Sequence, residues 1–298
     1  MFDTIPTLHC AGRTLRLDSP LVMGILNVTP DSFSDGGLHD SVDAAVAHGL
    51  RLIAEGADII DIGGESTRPG AAPVPLEEEL LRVVPVIKAL TAYDKAVISV
   101  DTFKPEVMRA AVAAGAGLIN DIYALRTPGA LEAAAELAVP VILMHMKGEP
   151  HSTQTPQYDH VVDEVYRFLA ERIFAAEIAG IERHRLLIDP GFSFSKTTEH
   201  NIALLAALER FTNLGIPLLA GLSRKRSLGE LTGRQLPIER VYASVAAHLI
   251  AVQRGALIVR VHDVAAMVDA LKVWQAVSAA AAPATHTKTT VARSPHDD

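Results

Sequence analysis

Short apolar runs alternate along the chain with longer alanine- and leucine-rich stretches of helical periodicity. Each run has the length of a β-strand and ends abruptly in a polar or titratable residue. The ends of the runs lie about 34 residues apart on average, which is the size of one strand-helix repeat. Strands that alternate with helices in this way pair in parallel through crossover connections. The eight runs end at Asn27, Asp61, Asp101, Asn120 with Asp121, His145, Asp189, Ser223 to Lys225, and Arg260 with His262.

Eight such repeats predict an α/β fold, a (β/α)8 TIM barrel over residues 21–279, of the usual size of about 250 residues. The alternative is an open doubly wound sheet, which predicts a G-x-G-x-x-G turn after the first strand, where this chain has TPDSFSDGG. We expect an N-terminal extension at 1–20 with a hairpin turning at Ala11-Gly12, and a disordered, low-complexity tail at 280–298. Helices are predicted at 41–55, 76–91, 105–114, 130–137, 158–179, 199–211, 238–254 and 264–278.

The composition restricts the classes of protein. A chain of 298 residues with 49% hydrophobic residues can bury a large core. Its mean hydropathy of +0.24 is high, but the longest apolar stretches fall short of the roughly 20 residues that span a bilayer. Nothing marks the chain for export, and the lone Cys10 fits a reducing cytoplasm. The net charge of −8 argues against nucleic-acid binding.

The polar strand ends meet at one face if the barrel closes, because the carboxyl ends of the strands form the active-site face. Asp101, Asn120, Asp189 and Lys225 then supply two carboxylates, an amide and an ammonium group, which can bind the edge of a planar heterocycle. The alternative for Lys225 and Asp189 is a buried ion pair that stabilises the barrel mouth. His145 is at least as well explained by a structural role as by catalysis.

A second group of polar residues is suited to an anion. Arg260 and His262 are two apart on one strand and therefore point to the same side. With Asn27 and Arg68 they could hold a phosphate or another oxyanion. The loops at 28–40 and 64–75 are long and rich in glycine and proline, so they either close over a ligand or form mobile surface connections. Oxygens of Asn27, Asp31 and Asp35 could serve Mg2+, which uses few protein ligands together with substrate phosphates.

Several longer motifs carry a resemblance to a known family. They occur in that family's order over about residues 20–275, and the first two together are highly specific. Through them the chain resembles the dihydropteroate synthase family. The segments are MGILNVTPDSFSDGG (23–37), DIGGESTRPGA (61–71), SVDTFKPEV (99–107), NDI (120–122), LMHM (143–146), DPGFSFSK (189–196), GLSRK (221–225) and RVHDV (260–264).

The resemblance implies a transferase that condenses 6-hydroxymethyl-7,8-dihydropterin pyrophosphate with p-aminobenzoate, releases pyrophosphate and makes 7,8-dihydropteroate for folate biosynthesis. It implies a carbocation-like path, with Asp101, Lys225, Arg260 and His262 as the catalytic residues, and a homodimer formed through outer helices. The pterin would contact Asp101, Asn120, Met144, Asp189, Lys225 and Arg260. The pyrophosphate would contact Asn27, Arg68, Arg260 and His262, with Mg2+ at Asn27 and Asp35. The p-aminobenzoate would contact Thr67, Pro69, Phe194, Lys225 and Arg226.

Three departures from the family pattern concern the neighbourhood of the aminobenzoate. Phe103 replaces a serine, and Ser193 and Ser195 replace glycines, which stiffens their loop. Arg226 replaces a serine; its cation could strengthen carboxylate binding, crowd out sulfonamide-like competitors, or point to solvent.

Two other functions are compatible with a pterin-binding barrel. One is that of the pterin-binding domain of a methyltetrahydrofolate methyltransferase, which should lack the SDGG and STRPG loops. The other is that of a pterin-binding paralogue without catalysis. Asp61 is expected to belong to the scaffold.

Overall fold

The computed structural model describes residues 5–28, 38–66, 70–149 and 157–281, without the side chains of 38–41. Eight parallel strands close into a barrel in the order β10-β3-β4-β5-β6-β7-β8-β9, which confirms the predicted (β/α)8 fold. The barrel strands are β3 (Leu21–Asn27), β4 (Ile59–Gly63), β5 (Val97–Asp101), β6 (Leu118–Asp121), β7 (Val141–Met144), β8 (Leu186–Asp189), β9 (Leu218–Ala220) and β10 (Ala256–Val261).

Helices surround the barrel and connect its strands. The described helices are α1 (Leu38–Ala54), α2 (Leu76–Thr91), α3 (Pro105–Ala113), α4 (Ala130–Leu137), α5 (Val161–Ile178), α6 (Thr198–Ala206), α7 (Arg226–Thr232), α8 (Val241–Gln253) and α9 (Val264–Ala281). Short 3-10 helices occupy Arg183–Arg185, Leu208–Leu214 and Pro237–Arg240. The strands are buried along nearly their whole length because the helices cover the barrel from outside and side chains fill it from within.

An N-terminal hairpin closes the end of the barrel opposite the strand carboxyl termini. Its strands β1 (Thr7–Cys10) and β2 (Arg13–Arg16) pair antiparallel, with the turn at the expected position. Leu8, Cys10 and Leu17 pack with the inward-facing layer of Met23, Ile59 and the equivalent residues of the other strands. The approach is close: a Cβ on Gly117 would lie 2.8 Å from the backbone of Cys10. The hairpin therefore leaves the opposite end of the barrel to the polar residues.

The predicted helices agree with the structure at most positions, and two differences have physical reasons. The predicted helix at 199–211 is the helix α6 followed by a 3-10 segment. The sequence analysis did not predict α7, because its seven residues are too few to display an apolar periodicity. The predicted tail, 280–298, lies outside the described residues from position 282 onward.

One helix among the described residues, α9, has the length and apolar composition to cross a membrane, although the sequence led us to expect none. Its residues Val264, Met267 and Leu271 are buried against the barrel. This packing is that of the last helix of a (β/α)8 barrel, so length and composition are by themselves weak grounds for a membrane span.

Candidate active site

A chain of hydrogen-bonded charges crosses the mouth of the barrel. Arg260 on β10 donates from Nε to Asp61 Oδ2 over 2.6 Å and from Nη2 to Asp101 Oδ2 over 2.7 Å. Asn120 donates from Nδ2 to the same Asp61 oxygen over 2.9 Å. The strand register explains this meeting, since Asp101 lies directly opposite Asn120 and Gly63. Residues that are far apart in sequence are thereby fixed in one group.

Asp61 is fully buried at the centre of this group and orients two of the predicted pterin-binding residues. It belongs to the scaffold, as expected, but its position is not remote from the chemistry. A carboxylate buried this deeply is stabilised only when cations and hydrogen-bond donors surround it. Arg260 and Asn120 supply those donors, and in return the carboxylate restricts their side-chain conformations.

Burial brings three of the predicted site groups to pKa values near neutrality. It raises the pKa of Asp101 to about 7, against the opposing effect of the Arg260 guanidinium. It likewise raises the pKa of Asp189 to about 6, against the hydrogen bond from Gly191 and the charge of Lys225. Burial and the nearby charge of Arg260 lower the pKa of Lys225 to about 8. Perturbed groups of this kind in a cleft are characteristic of functional sites.

Lys225 and Asp189 attract one another but form no direct ion pair in the part of the chain described. The Nζ atom of Lys225 instead lies 4.4 Å from the centroid of the Phe194 ring, in a cation–π contact. The structure therefore contradicts the interpretation of Lys225 and Asp189 as a buried ion pair. Both groups keep hydrogen-bonding capacity for a ligand.

An apolar cluster borders this side of the mouth. Buried Ile122, Met144 and Met146 form its base. Met144 lies beside Asp189 in the strand register, so the predicted pterin-contacting methionine is next to a predicted pterin-binding carboxylate. Phe103, Tyr123 and Phe194 pack against the cluster, and the aromatic residue that replaces the family's serine is therefore part of this apolar wall.

His262 is held by Ser223, a residue to which the sequence analysis gave no role. The Ser223 Oγ atom accepts from the backbone N–H of His262 at 3.0 Å and lies 2.9 Å from its ring Nδ1. Since the oxygen already accepts the backbone hydrogen bond, its own hydrogen is available to Nδ1. The neighbouring Arg224 forms a bidentate ion pair with Asp263, at 2.9 and 2.5 Å. The loop after β9 is thereby tied to the end of β10.

The structure describes only part of the predicted anion and aminobenzoate sites. Asn27 is exposed at the carboxyl end of β3, next to Gly63 in the register. The residues expected in the two long loops lie outside the described residues: Asp31, Asp35, Thr67, Arg68 and Pro69.

Arg226 adopts the solvent-facing alternative of the three considered. Its side chain is 89% exposed and its Nε donates to Glu230 Oε1 over 2.7 Å, one helical turn further along α7. The side chain therefore pairs with a residue of its own helix and faces solvent.

His145 and Lys196 form a buried pair behind the loop that carries Phe194. Lys196 Nζ lies 2.9 Å from His145 Nδ1, and burial lowers the pKa of both groups, to about 7 for Lys196 and about 2 for His145. The sequence indicated no firm role for His145 and no role for Lys196. The only available signal was the presence of both residues in motifs, LMHM and DPGFSFSK.

No group of three or more histidine, cysteine, aspartate or glutamate side chains within the described ranges could hold a metal ion. Asn27 supplies one amide oxygen at the mouth. An amide oxygen at this position is compatible with Mg2+, which uses few protein ligands together with water and substrate phosphate oxygens.

The fold and the residues at its mouth define a pterin-binding enzyme of the TIM-barrel type. The family model described as pterin binding enzyme matches residues 23–262. The dihydropteroate synthase of Escherichia coli (strain K12) is 53% identical over 274 residues, covering 92% of this chain and 97% of that protein.

Solved structures agree with the sequence comparison. The Xanthomonas albilineans dihydropteroate synthase with 4-aminobenzoic acid has a TM-score of 0.89 and 70% identity, covering 93% of this chain and 99% of that one. The same organism's enzyme in complex with 7,8-dihydropteroate has a TM-score of 0.85 and 68% identity, covering 92% and 99%. The chain belongs to the dihydropteroate synthase family, the transferases that condense 6-hydroxymethyl-7,8-dihydropterin pyrophosphate with p-aminobenzoate in folate biosynthesis.

Proposed function

We propose that the mouth of this barrel carries out the condensation with the pterin held by Asp101, Asn120, Asp189 and Lys225. The hydrogen-bonded group of Arg260 with Asp61 and Asp101 is the observation that carries the proposal. Carboxylates, an amide and an ammonium group at fixed positions match the alternating donors and acceptors on the edge of a pterin ring. Met144 and Arg260 would contact the faces of the ring.

The reaction would proceed by departure of pyrophosphate before the new bond is complete. The C–O bond between the pterin methylene and the pyrophosphate breaks, and its electron pair leaves with the pyrophosphate. Asp101, as an anion, stabilises the positive charge that develops on the pterin. The amino nitrogen of p-aminobenzoate then forms the C–N bond, and its proton passes to solvent.

Arg260 and Arg68 would neutralise charge on the departing pyrophosphate, and His262 and Asn27 would donate hydrogen bonds to it. Arg260 uses two of its five N–H donors on carboxylates, so its guanidinium group still has donors for phosphate oxygens. Ser223 would support the role of His262: when the serine hydroxyl donates to Nδ1, the proton of a neutral ring lies on Nε2 and can be donated to a phosphate oxygen. Mg2+, bound at Asn27 and Asp35, would supply further charge neutralisation of the phosphate oxygens.

The p-aminobenzoate would lie beside Phe194 and Lys225, and Thr67 and Pro69 would also border it. The cation–π contact of Lys225 with the Phe194 ring gives this position one aromatic surface and one positive charge. An aromatic carboxylate needs both, one for its ring and one for its charge. Arg226, whose side chain pairs with Glu230, would contribute through its charge at a distance and not by contact.

We also propose that the protein is a cytoplasmic homodimer. An apolar outer surface lies on the adjacent helices α8 and α9. It is formed by Tyr242, which is 88% exposed, and by the exposed residues Ile250, Val273 and Val277. The single buried Cys10 suits a reducing compartment. Sedimentation equilibrium of the protein and of Tyr242→Glu tests the dimer: the variant should sediment as a monomer.

The central test is an assay of pyrophosphate release from the purified protein with the pterin pyrophosphate, p-aminobenzoate and Mg2+. Release that depends on p-aminobenzoate and stops when Mg2+ is chelated supports the proposal. Tight pterin binding without any release would instead indicate a pterin-binding protein without catalysis.

A further inference from the structure

Lys196 is a buried lysine surrounded by acceptors. Only 9% of the residue is exposed, and its Nζ donates to the carbonyl oxygens of Gly191 over 2.8 Å and Phe194 over 3.0 Å. His145 adds its ring Nδ1 at 2.9 Å and its carbonyl oxygen at 3.4 Å. A buried cation is tolerated when all its donors are satisfied, and four acceptors meet the three N–H groups of this ammonium.

Two of the four acceptors are carbonyl oxygens of the loop between β8 and α6, whose conformation requires support. Asp189 Oδ1 accepts from the N–H of Gly191 over 2.7 Å, while Lys196 binds the carbonyl of the same residue. Gly191 has φ 70°, and a Cβ there would lie 1.9 Å from the His145 carbonyl oxygen. Ser193 and Ser195 also have positive φ values, 64° and 54°, which are unfavourable for residues with a side chain. The loop therefore has a costly conformation, which Lys196 and Asp189 stabilise at Gly191.

Phe194 connects this support to the proposed substrate site. Its carbonyl group is bound by Lys196, and its ring lies 4.4 Å from the Nζ of Lys225. Lys196 therefore holds the backbone of the residue whose ring contacts Lys225. We infer that Lys196, with His145 as its acceptor, is a positioning residue that fixes Phe194 against Lys225 and so shapes the aminobenzoate end of the site. The inference rests on the proposed position of the p-aminobenzoate.

His145 has the properties of a fixed acceptor. Its ring packs edge-on against Phe168, with the centroids 4.8 Å apart, and it is buried. An ammonium at Nδ1 requires that nitrogen to carry no proton, which agrees with the lowered pKa of the ring. His145 is thereby a partner of Lys196 and not a group that exchanges protons with substrate.

Lys196→Met tests the inference, because methionine retains most of the side-chain length and removes every donor. Steady-state kinetics should show a rise of about tenfold or more in the KM for p-aminobenzoate. The dissociation constant of the pterin pyrophosphate, from titration calorimetry, should change less, by no more than about threefold, because Lys196 donates a hydrogen bond to none of the proposed pterin-binding residues and acts on Asp189 only through its charge. The control is Lys272→Met, which removes an exposed lysine of α9 and should change neither value.

A pair of variants at His145 keeps the inference testable if Lys196→Met does not fold. His145→Gln retains an acceptor for Lys196 and should restore most of the aminobenzoate affinity that His145→Leu loses. Equal effects of the two His145 variants, equal rises in the constants of both substrates, or an unchanged KM for p-aminobenzoate in Lys196→Met would each overturn the inference. Failure of the proposed function is distinguishable, because the unaltered protein would then release no pyrophosphate.

Discussion

Arg260 on the last barrel strand donates its Nε hydrogen to Asp61 on the second barrel strand, with 2.6 Å between the donor nitrogen and Oδ2. The same oxygen accepts from Asn120 at 2.9 Å. One buried carboxylate oxygen therefore determines the positions of two groups proposed to contact the pterin. Closure of the barrel is what makes the contact possible, since β10 and β4 lie on either side of β3.

Asp61→Asn should lower kcat/KM by about 100-fold, which corresponds to about 2.7 kcal/mol of transition-state stabilisation. An asparagine at this position removes the negative charge that pairs with the Arg260 guanidinium group, although its amide oxygen could still accept both hydrogen bonds. Asp94→Asn, at an exposed aspartate that binds Arg13, is the matched control and should retain full activity. Steady-state kinetics would measure the kcat/KM of both variants, and circular dichroism would check that they fold. A decrease in kcat/KM below about threefold in Asp61→Asn would contradict the role assigned to Asp61.

Asp101→Asn should reduce kcat by about a thousandfold, with a smaller change in the affinity for the pterin pyrophosphate. The amide preserves the size and one acceptor oxygen but loses the charge that stabilises the developing cation. Single-turnover measurements separate binding from the chemical step. Turnover close to that of the unaltered protein would exclude a charge-stabilising role for Asp101.

The dependence of kcat/KM on pH should be bell-shaped. Asp101 must be ionised, so activity should rise as the pH passes its pKa of about 7. Lys225 must be protonated, so activity should fall as the pH passes about 8. Because pyrophosphate also titrates, the pH profile of Asp101→Asn serves as the control and should lack the rise attributed to this carboxyl. A flat profile between about pH 6 and 9 would be inconsistent with these assignments.

The same aspartate should affect stability in the opposite direction. Its pKa is raised from 3.8 to about 7 in the folded protein, so the folded state binds the proton more tightly than the unfolded state. The protonated carboxyl therefore contributes to the free energy of unfolding. This contribution is complete below the pKa of the unfolded state and is lost as the pH rises through about 7. Urea unfolding at several pH values should show a smaller decrease over this range in Asp101→Asn than in the unaltered protein.

Arg226→Ser should leave the KM for p-aminobenzoate within about twofold, because an exposed ion pair contributes little. The side chain is directed to Glu230 and not to the barrel mouth. Glu230→Gln is a useful companion, since it frees Arg226 without removing its charge. A tenfold change in the KM for p-aminobenzoate with Arg226→Ser would show that the cation reaches the substrate after all.

Ser193→Gly should stabilise the protein by about 1 kcal/mol, because glycine relieves the positive φ and removes a buried hydroxyl that has no hydrogen-bond partner among the described groups. Ser195→Gly is the matched comparison. It also relieves a positive φ, but it loses the hydrogen bond from Ser195 Oγ to the Lys147 carbonyl at 2.7 Å. Its net effect should be within about 0.5 kcal/mol of zero. Thermal unfolding would distinguish the two, and equal effects would contradict the role assigned to these hydroxyl groups.

The sequence predicted the barrel because strand length and helical periodicity are local properties, and the right-handed connection rule then limits the topology. Convergence of Asp101, Asn120 and Arg260 followed from that fold, since parallel strands end on one face. Asp61 was assigned to the scaffold from its place in the segment DIGG, but the partners that it binds depend on side-chain directions across three strands.

Contacts between loops could not be predicted. Lys196 meets His145 only because the β8–α6 loop folds back on itself, and nothing in the motif DPGFSFSK specifies the direction of that side chain. Ser223 and His262 lie 39 positions apart, and their bond depends on the relative height of two loops at the barrel mouth. The direction of the Arg226 side chain could not be predicted because Arg226 is the first residue of α7. Successive residues of a helix point about 100° apart, and this angle decides whether a side chain faces the barrel mouth or solvent.

The hairpin that covers the far end of the barrel gives the protein a kinetic reporter of its own. Cys10, the one thiol in the chain, is buried there, and burial raises its pKa to about 12. A thiol reagent at neutral pH can modify it only during intervals in which this end opens. The rate of modification therefore measures local opening at the end of the barrel opposite the proposed active site. A ligand that stabilises the whole barrel should slow the modification of Cys10, whereas a ligand that orders only the mouth should leave the rate unchanged.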